Sequence, residues 1–86
     1  MKLSGNTILI TGGGSGIGLA LAEEFKKLEN HVLIAGRSPA KLEAAAKKGF
    51  TTFSVDMTDA KSIGDMAAQV LKDFPALNVV IHNAGI

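Results

Sequence analysis

Cysteine, tyrosine and tryptophan are all absent from the 86 residues. Without cysteine there is no disulfide framework, no thiolate metal site and no thiol nucleophile. An excess of one charge is lacking too. Nine Lys and Arg stand against eight Asp and Glu, a net charge of +1. No basic surplus exists to displace counterions from nucleic acid or to hold an anionic membrane. Long apolar runs are also missing. Ile8-Leu9-Ile10 follows Met1-Lys2, but a secretory signal needs ~7–15 apolar residues and a membrane span ~20. A cytoplasmic location is therefore expected, with neither nucleic acid nor membrane as a partner.

Hydrophobic residues make up 47% of the chain, which argues for a packed fold and against disorder. The length allows one domain at most. Apolar runs alternate with helix-period segments. Thr7-Ile8-Leu9-Ile10-Thr11 reads as a buried strand. A helix should open near Gly16, with Ile17, Leu21, Phe25 and Leu28 on its apolar face. Asn30 can end it in a left-handed turn. His31-Val32-Leu33-Ile34-Ala35 is a second strand. Ser38-Pro39 reads as an N-cap and first helical position, and Gly49 as the matching stop. Phe50-Thr51-Thr52-Phe53-Ser54-Val55 is a third strand. Thr58 or Asp59 can cap the next helix. Its stripe is Ile63, Met66, Ala67, Val70, Leu71 and Phe74, and Pro75 stops it. Leu77-Asn78-Val79-Val80-Ile81 is the last strand.

This β-α-β-α-β-α-β pattern implies an α/β fold. A parallel sheet would lie between helices in three α/β/α layers, with strand order 3-2-1-4. Such sheets bind ligands at the carboxyl ends of their strands, where the order reverses.

The strongest chemical signal is Thr11-Gly12-Gly13-Gly14-Ser15-Gly16-Ile17-Gly18, between a strand and a helix. Its spacing is GxxxGxG, through Gly12, Gly16 and Gly18. Glycines permit a sharp turn and let a pyrophosphate approach the backbone. N–H groups at the helix start, with the helix dipole, then hold the anion. Gly18 lets the helix sit close to the sheet. A flexible turn with no ligand is the competing reading.

These residues resemble the TGxxxGxG motif of the short-chain dehydrogenase/reductases. Asn83-Ala84-Gly85 resembles that family's NNAG motif, and Asp56 stands where members place an acidic residue against adenine. The resemblance covers essentially the whole chain. It implies a partial, doubly wound Rossmann-like fold, with residues 1–86 as the N-terminal part of a dinucleotide-binding domain. Cofactor contacts are then expected from Gly12, Gly14, Ser15, Gly16, Ile17, Gly18, Arg37, Ser38, Asp56, Met57, Asn83, Ala84 and Gly85. Asn83 would also tie neighbouring strands. His82 departs from the pattern, where Asn is common. It has no adjacent carboxylate or second His to make it a base or metal ligand, and no metal site is expected. His31 lies at the opposite strand end, as a surface residue.

The end of the second strand bears on cofactor choice. An NAD-binding fold usually carries Asp or Glu there. Ala35-Gly36-Arg37-Ser38 carries none. Arg37 can offer a guanidinium fork to a 2′-phosphate, and Ser38 a hydroxyl. That contact is worth ~1.5–3 kcal/mol, roughly 10- to 100-fold in affinity. NADP(H) is favoured over NAD(H). The alternative is a solvated Arg37 that stacks on adenine.

The family's proton relay resembles a Tyr and Lys in YxxxK with a Ser. No tyrosine occurs here, so no residue is assigned as catalytic. The resemblance implies the cofactor half of an oxidoreductase that moves hydride between nicotinamide and a small carbonyl or alcohol substrate. A stand-alone nucleotide-binding module is the alternative. A self-associating fragment is another, since the fourth strand would leave an open edge. A homo-oligomer is expected.

Overall fold

The computed structural model describes residues 3–12 and 16–82. Seven elements alternate: β1 (Thr7–Thr11), α1 (Gly16–Lys27), β2 (His31–Gly36), α2 (Pro39–Lys47), β3 (Thr51–Ser54), α3 (Ala60–Asp73) and β4 (Val79–His82). The four strands form one parallel sheet in the order β3-β2-β1-β4. This is the expected α/β fold.

Side chains alternate along each strand, so the two sheet faces bury different sets. Ile8, Ile10, Val32 and Ile34 pack with Ala22 of α1, Ala45 of α2 and Phe50. Leu9, Leu33 and Ala35 pack on the other face with Val55 and with Met66 and Val70 of α3. Helices α1 and α2 thus cover one face and α3 the other. The chain changes faces between β1 and β4, where a parallel sheet opens a crevice at its carboxyl ends.

The helix boundaries have local causes. Ser38 Oγ accepts from the Lys41 N–H, and Pro39 opens α2. Asp59, rather than Thr58, caps α3 by accepting from the Lys61 N–H at 3.0 Å. Gly49 takes φ +93° after α2, a left-handed stop that only glycine adopts without strain.

Three local expectations are corrected. The α1 contact face runs through buried Gly18 and Ala22, with Leu19 and Phe25 beside them. Ile17 is 74% exposed, and Leu21 and Leu28 are exposed as well. The face is turned by about one residue, roughly 100°, because small residues let the helix approach the sheet more closely than Ile and Leu would. In α3, Met66 and Val70 are buried as expected, but Ala67 and Leu71 face outward. The left-handed residue after α1 is Glu29, at φ 64°. Asn30 is buried instead, its side chain occupied across the sheet.

That occupation is part of a network at the amino ends of the strands. Asn30 Oδ1 accepts from the Asn6 backbone N–H at 3.0 Å and from Asn6 Nδ2 at 2.9 Å. Asn30 Nδ2 donates to the Leu3 and Phe25 carbonyls at 3.0 and 2.8 Å. Asn78 Nδ2 donates to Asn6 Oδ1 and Asn78 Oδ1 accepts from the Thr7 N–H, both at 2.9 Å. Three asparagines, each directly before a strand, lock the starts of β2, β1 and β4 in register. No buried side-chain N or O atom among the described residues lacks a partner.

Candidate functional site

The opposite end of the sheet is built differently. After Thr11 the chain turns through Gly12, at φ 72°, whose N–H donates to the Ala35 carbonyl at 2.7 Å. Gly16 opens α1 at φ 60°. Both values lie in the left-handed region that disfavours any Cβ. A Cβ built on Gly16 meets nothing within 4 Å, so backbone conformation rather than crowding requires glycine there. Gly18, the third residue of α1, is buried. The first turns of α1 and α2 carry no acidic residue, so no carboxylate within those turns repels an anion at the helix starts.

Next along the sheet end stands β2. Arg37 is exposed just past it and makes no ion pair among the described residues. Ser38 is half-buried. Its cap uses an acceptor lone pair, which leaves the hydroxyl proton available.

Past β3, Asp56 Oδ1 accepts from the Thr58 hydroxyl at 2.6 Å and from the Thr58 N–H at 2.9 Å. The Asp56 N–H donates to Ser62 Oγ at 2.9 Å. The Thr58 hydroxyl, then the Thr58 N–H, and more weakly the charge of Arg37 hold this carboxyl below the usual aspartate range. Asp56 is therefore an ionised acceptor at neutral pH, and Arg37 acts on it across the strand ends. Its helix-start role and a ligand-facing role are compatible, because a carboxylate has about four acceptor sites. Met57 is exposed beside it.

The structure thus brings Gly12, Gly16, Ile17, Arg37, Ser38, Asp56 and Met57 to one end of the sheet, with Gly18 directly beneath. Gly14, Ser15, Asn83, Ala84 and Gly85 lie outside the described residues. His31 sits at the far end, its ring edge-on to Phe74 at 5.0 Å. No group of three or more His, Cys, Asp or Glu among the described residues could hold a metal ion. No described helix is long and apolar enough to cross a membrane.

Sequence reasoning missed one contact at this end. Thr11 Oγ1 lies 2.8 Å from His82 Nδ1, joining the last residues of β1 and β4. The asparagine network escaped it as well: Asn78 is expected inside the last strand, whereas β4 begins at Val79 and runs to His82, which leaves the Asn78 amide to cap the strand starts.

Residues 6–86 match the family model of the short chain dehydrogenases. The chain belongs to that family. It is 43% identical, over its whole length, to the uncharacterized oxidoreductase DltE of Bacillus subtilis, covering 35% of that protein. It is 38% identical to the 3-oxoacyl-[acyl-carrier-protein] reductase FabG of Rickettsia bellii, again over all of this chain and 35% of that one. The chain therefore spans about a third of the length of these curated relatives. Among solved structures, L-sorbose reductase from Gluconobacter frateurii, complexed with NADPH and L-sorbose, is 31% identical with a TM-score of 0.83, over 96% of this chain and 34% of that one. The 3-ketoacyl-(acyl-carrier-protein) reductase of Brucella melitensis, complexed with NADH, is 27% identical with the same TM-score of 0.83, over 92% of this chain and 34% of that one.

Proposed function

We propose that this chain is the cofactor-binding part of an NADP(H)-dependent oxidoreductase, with residues 1–86 forming the N-terminal portion of a dinucleotide-binding domain. The observation that carries the reading is the row at the carboxyl ends of three adjacent strands: a left-handed glycine turn after β1, an unpaired Arg37 after β2 and an ionised Asp56 after β3. The residues fit a dinucleotide. The start of α1 suits a pyrophosphate, and Gly18 keeps that helix close to the sheet. Asp56 suits the amino group of adenine, with Met57 beside it. Gly14, Ser15, Gly16 and Ile17 would complete the phosphate turn, and Asn83, Ala84 and Gly85 would support the ribose.

Arg37 and Ser38 decide the preference for NADP(H). No acidic residue lies between His31 and Leu42 to receive ribose hydroxyls or to repel a 2′-phosphate. A guanidinium fork there favours the phosphorylated cofactor. Relatives named above as complexes with NADPH and with NADH support a nicotinamide dinucleotide as the ligand class. When bound, that cofactor supplies hydride exchange with a carbonyl or alcohol. This chain supplies binding and orientation, and none of its residues is assigned as catalytic.

Parallel calorimetric titrations with NADPH and NADH test the reading. NADPH should bind more tightly. Arg37→Ala should weaken NADPH by roughly 10- to 100-fold and NADH much less. Equal losses for both cofactors would refute the 2′-phosphate role.

A second reading concerns assembly. Among the described residues β4 pairs only with β1, and Val80 on it is 59% exposed. Ile17, Leu21 and Leu28 add apolar surface on α1. Pairing with a second copy through this edge would give a homo-oligomer. Light scattering across a dilution series should show mass falling toward 8.9 kDa, and Val80→Lys should shift the transition to higher concentration. A monomer at every concentration would remove this reading.

A further inference from the structure

The ends of β1 and β4 flank the point where the chain changes sheet faces. Thr11 and His82 are register partners there. Thr11 is buried, His82 is exposed, and Oγ1 stands 2.8 Å from Nδ1. We infer that His82 is a positioning residue for the dinucleotide: it ties the two strand ends that floor the crevice and sets a titratable charge beside the bound anion. The inference rests on the cofactor reading proposed above.

The chemistry of the pair lets charge change without loss of the tie. A threonine hydroxyl both donates and accepts. With Nδ1 bare, the hydroxyl donates to it. With Nδ1 protonated, the ring donates to the hydroxyl. The strand ends stay joined either way, and only the net charge at the crevice floor differs.

The surroundings leave this charge little competition. β1 carries no titratable side chain, and the first turn of α1, Gly16-Ile17-Gly18, is uncharged. Lys61 and Asp65 near the start of α3 pair with each other at 3.1 Å. Arg37 and Asp56 follow β2 and β3. At roughly 4.8 Å per strand, those strands lie about 10 and 14 Å from β4. Among the described residues, an imidazolium at His82 would be the positive side chain carried by the strand pair itself, with Arg37 following the next strand. Linkage then requires that protonation tighten binding, and that binding raise the histidine's affinity for its proton.

His82→Asn isolates the charge. The amide nitrogen and oxygen of Asn branch from Cγ as Nδ1 does, and either can meet the Thr11 hydroxyl, but Asn does not titrate. Kd for NADP⁺ would be measured at pH 5.5 and 8.0 for the native chain and this variant. Titration of the cofactor's own phosphate is common to both proteins and cancels in their ratio. That ratio should favour the native chain more strongly at pH 5.5 than at pH 8.0, by about two- to fivefold, the size of an exposed charge pair. The His82 ring resonance should also titrate at higher pH when NADP⁺ is present. Thr11→Val, which removes the tie, should weaken binding at both pH values. If that variant melts early by circular dichroism, the Asn comparison and the resonance carry the test. A ratio independent of pH, or a His82 titration unmoved by NADP⁺, overturns the inference while leaving the cofactor reading in place. A native chain that binds neither NADP⁺ nor NAD⁺ overturns the cofactor reading, and this inference with it.

Discussion

The two ends of one four-stranded sheet use polar residues in opposite ways. At the amino end, Asn6, Asn30 and Asn78 spend their amides on one another and on the backbone, in bonds that run from buried at Asn6 and Asn30 to exposed at Asn78. At the carboxyl end stand glycine turns, a guanidinium with no ion pair among the described residues, and an ionised carboxylate. One end is closed and satisfied. The other leaves the Arg37 guanidinium without an ion pair among the described residues. The difference shows how a small α/β unit can hold its strands rigidly while presenting open groups to an anion, because parallel strands send all their carboxyl ends the same way.

The largest effect separating the ends should come from Asn30→Leu. It removes four hydrogen bonds, two of them buried ones to Asn6, and puts an apolar side chain beside the Leu3 and Phe25 carbonyls. A loss of about 3 kcal/mol is expected from buried groups left unpaired. Urea unfolding would report it, and cofactor selectivity in the surviving folded fraction should not change. A loss below about 1 kcal/mol would mean that the network does not lock the register.

A matched pair of glycines sharpens the contrast. Gly16 and Gly49 take φ +60° and +93° at opposite sheet ends. Alanine at either should cost about 1–2 kcal/mol of stability through left-handed backbone strain, and at Gly49 the Lys26 ammonium must also move aside. Only Gly16→Ala should also weaken NADPH binding. Equal binding by both variants would detach the glycine turn from the ligand.

Asp59→Ala probes a carboxyl-end residue whose work is internal. Loss of the α3 cap should cost about 1 kcal/mol in thermal or urea unfolding. Cofactor affinity should hold, in contrast to Asp56→Asn, which should weaken it.

The smallest effect concerns acid. Asp56 is held below its ordinary 3.8 by Thr58 first, and Glu23 below its ordinary 4.5 by its hydrogen bond to Lys48. A depressed carboxyl contributes stability above its unfolded value and loses it as pH falls through the lower folded value. Stability should therefore decline as pH drops below about 4.5, and Asp56→Asn and Glu23→Gln should each flatten that decline. Unchanged acid curves would show that neither contact survives in solution.

Much of this architecture is legible in the sequence. The bounds of β1, the strand order and the caps at Ser38 and Gly49 follow from apolar runs and turn chemistry. So does the gathering of Arg37 and Asp56 at one sheet end, because topology alone places them. The rest depends on tertiary packing. Periodicity marks a stripe through Ile17, Leu21 and Leu28, but close helix–sheet approach selects Gly18 and Ala22 instead. Asn30 reads as a helix stop, yet Asn6 before β1 and the Leu3 and Phe25 carbonyls claim its amide, and Glu29 takes the left-handed turn. The Thr11–His82 contact joins residues 71 apart, beyond the reach of local pattern.

The division between the two ends can be tested directly by amide chemical-shift mapping on addition of NADP⁺. The account predicts that Gly12, Gly16, Ile17, Arg37, Asp56 and His82 move while Asn6, Asn30 and Asn78 stay fixed. Shifts centred on the asparagine end, or none at the carboxyl end at saturating NADP⁺, would contradict it.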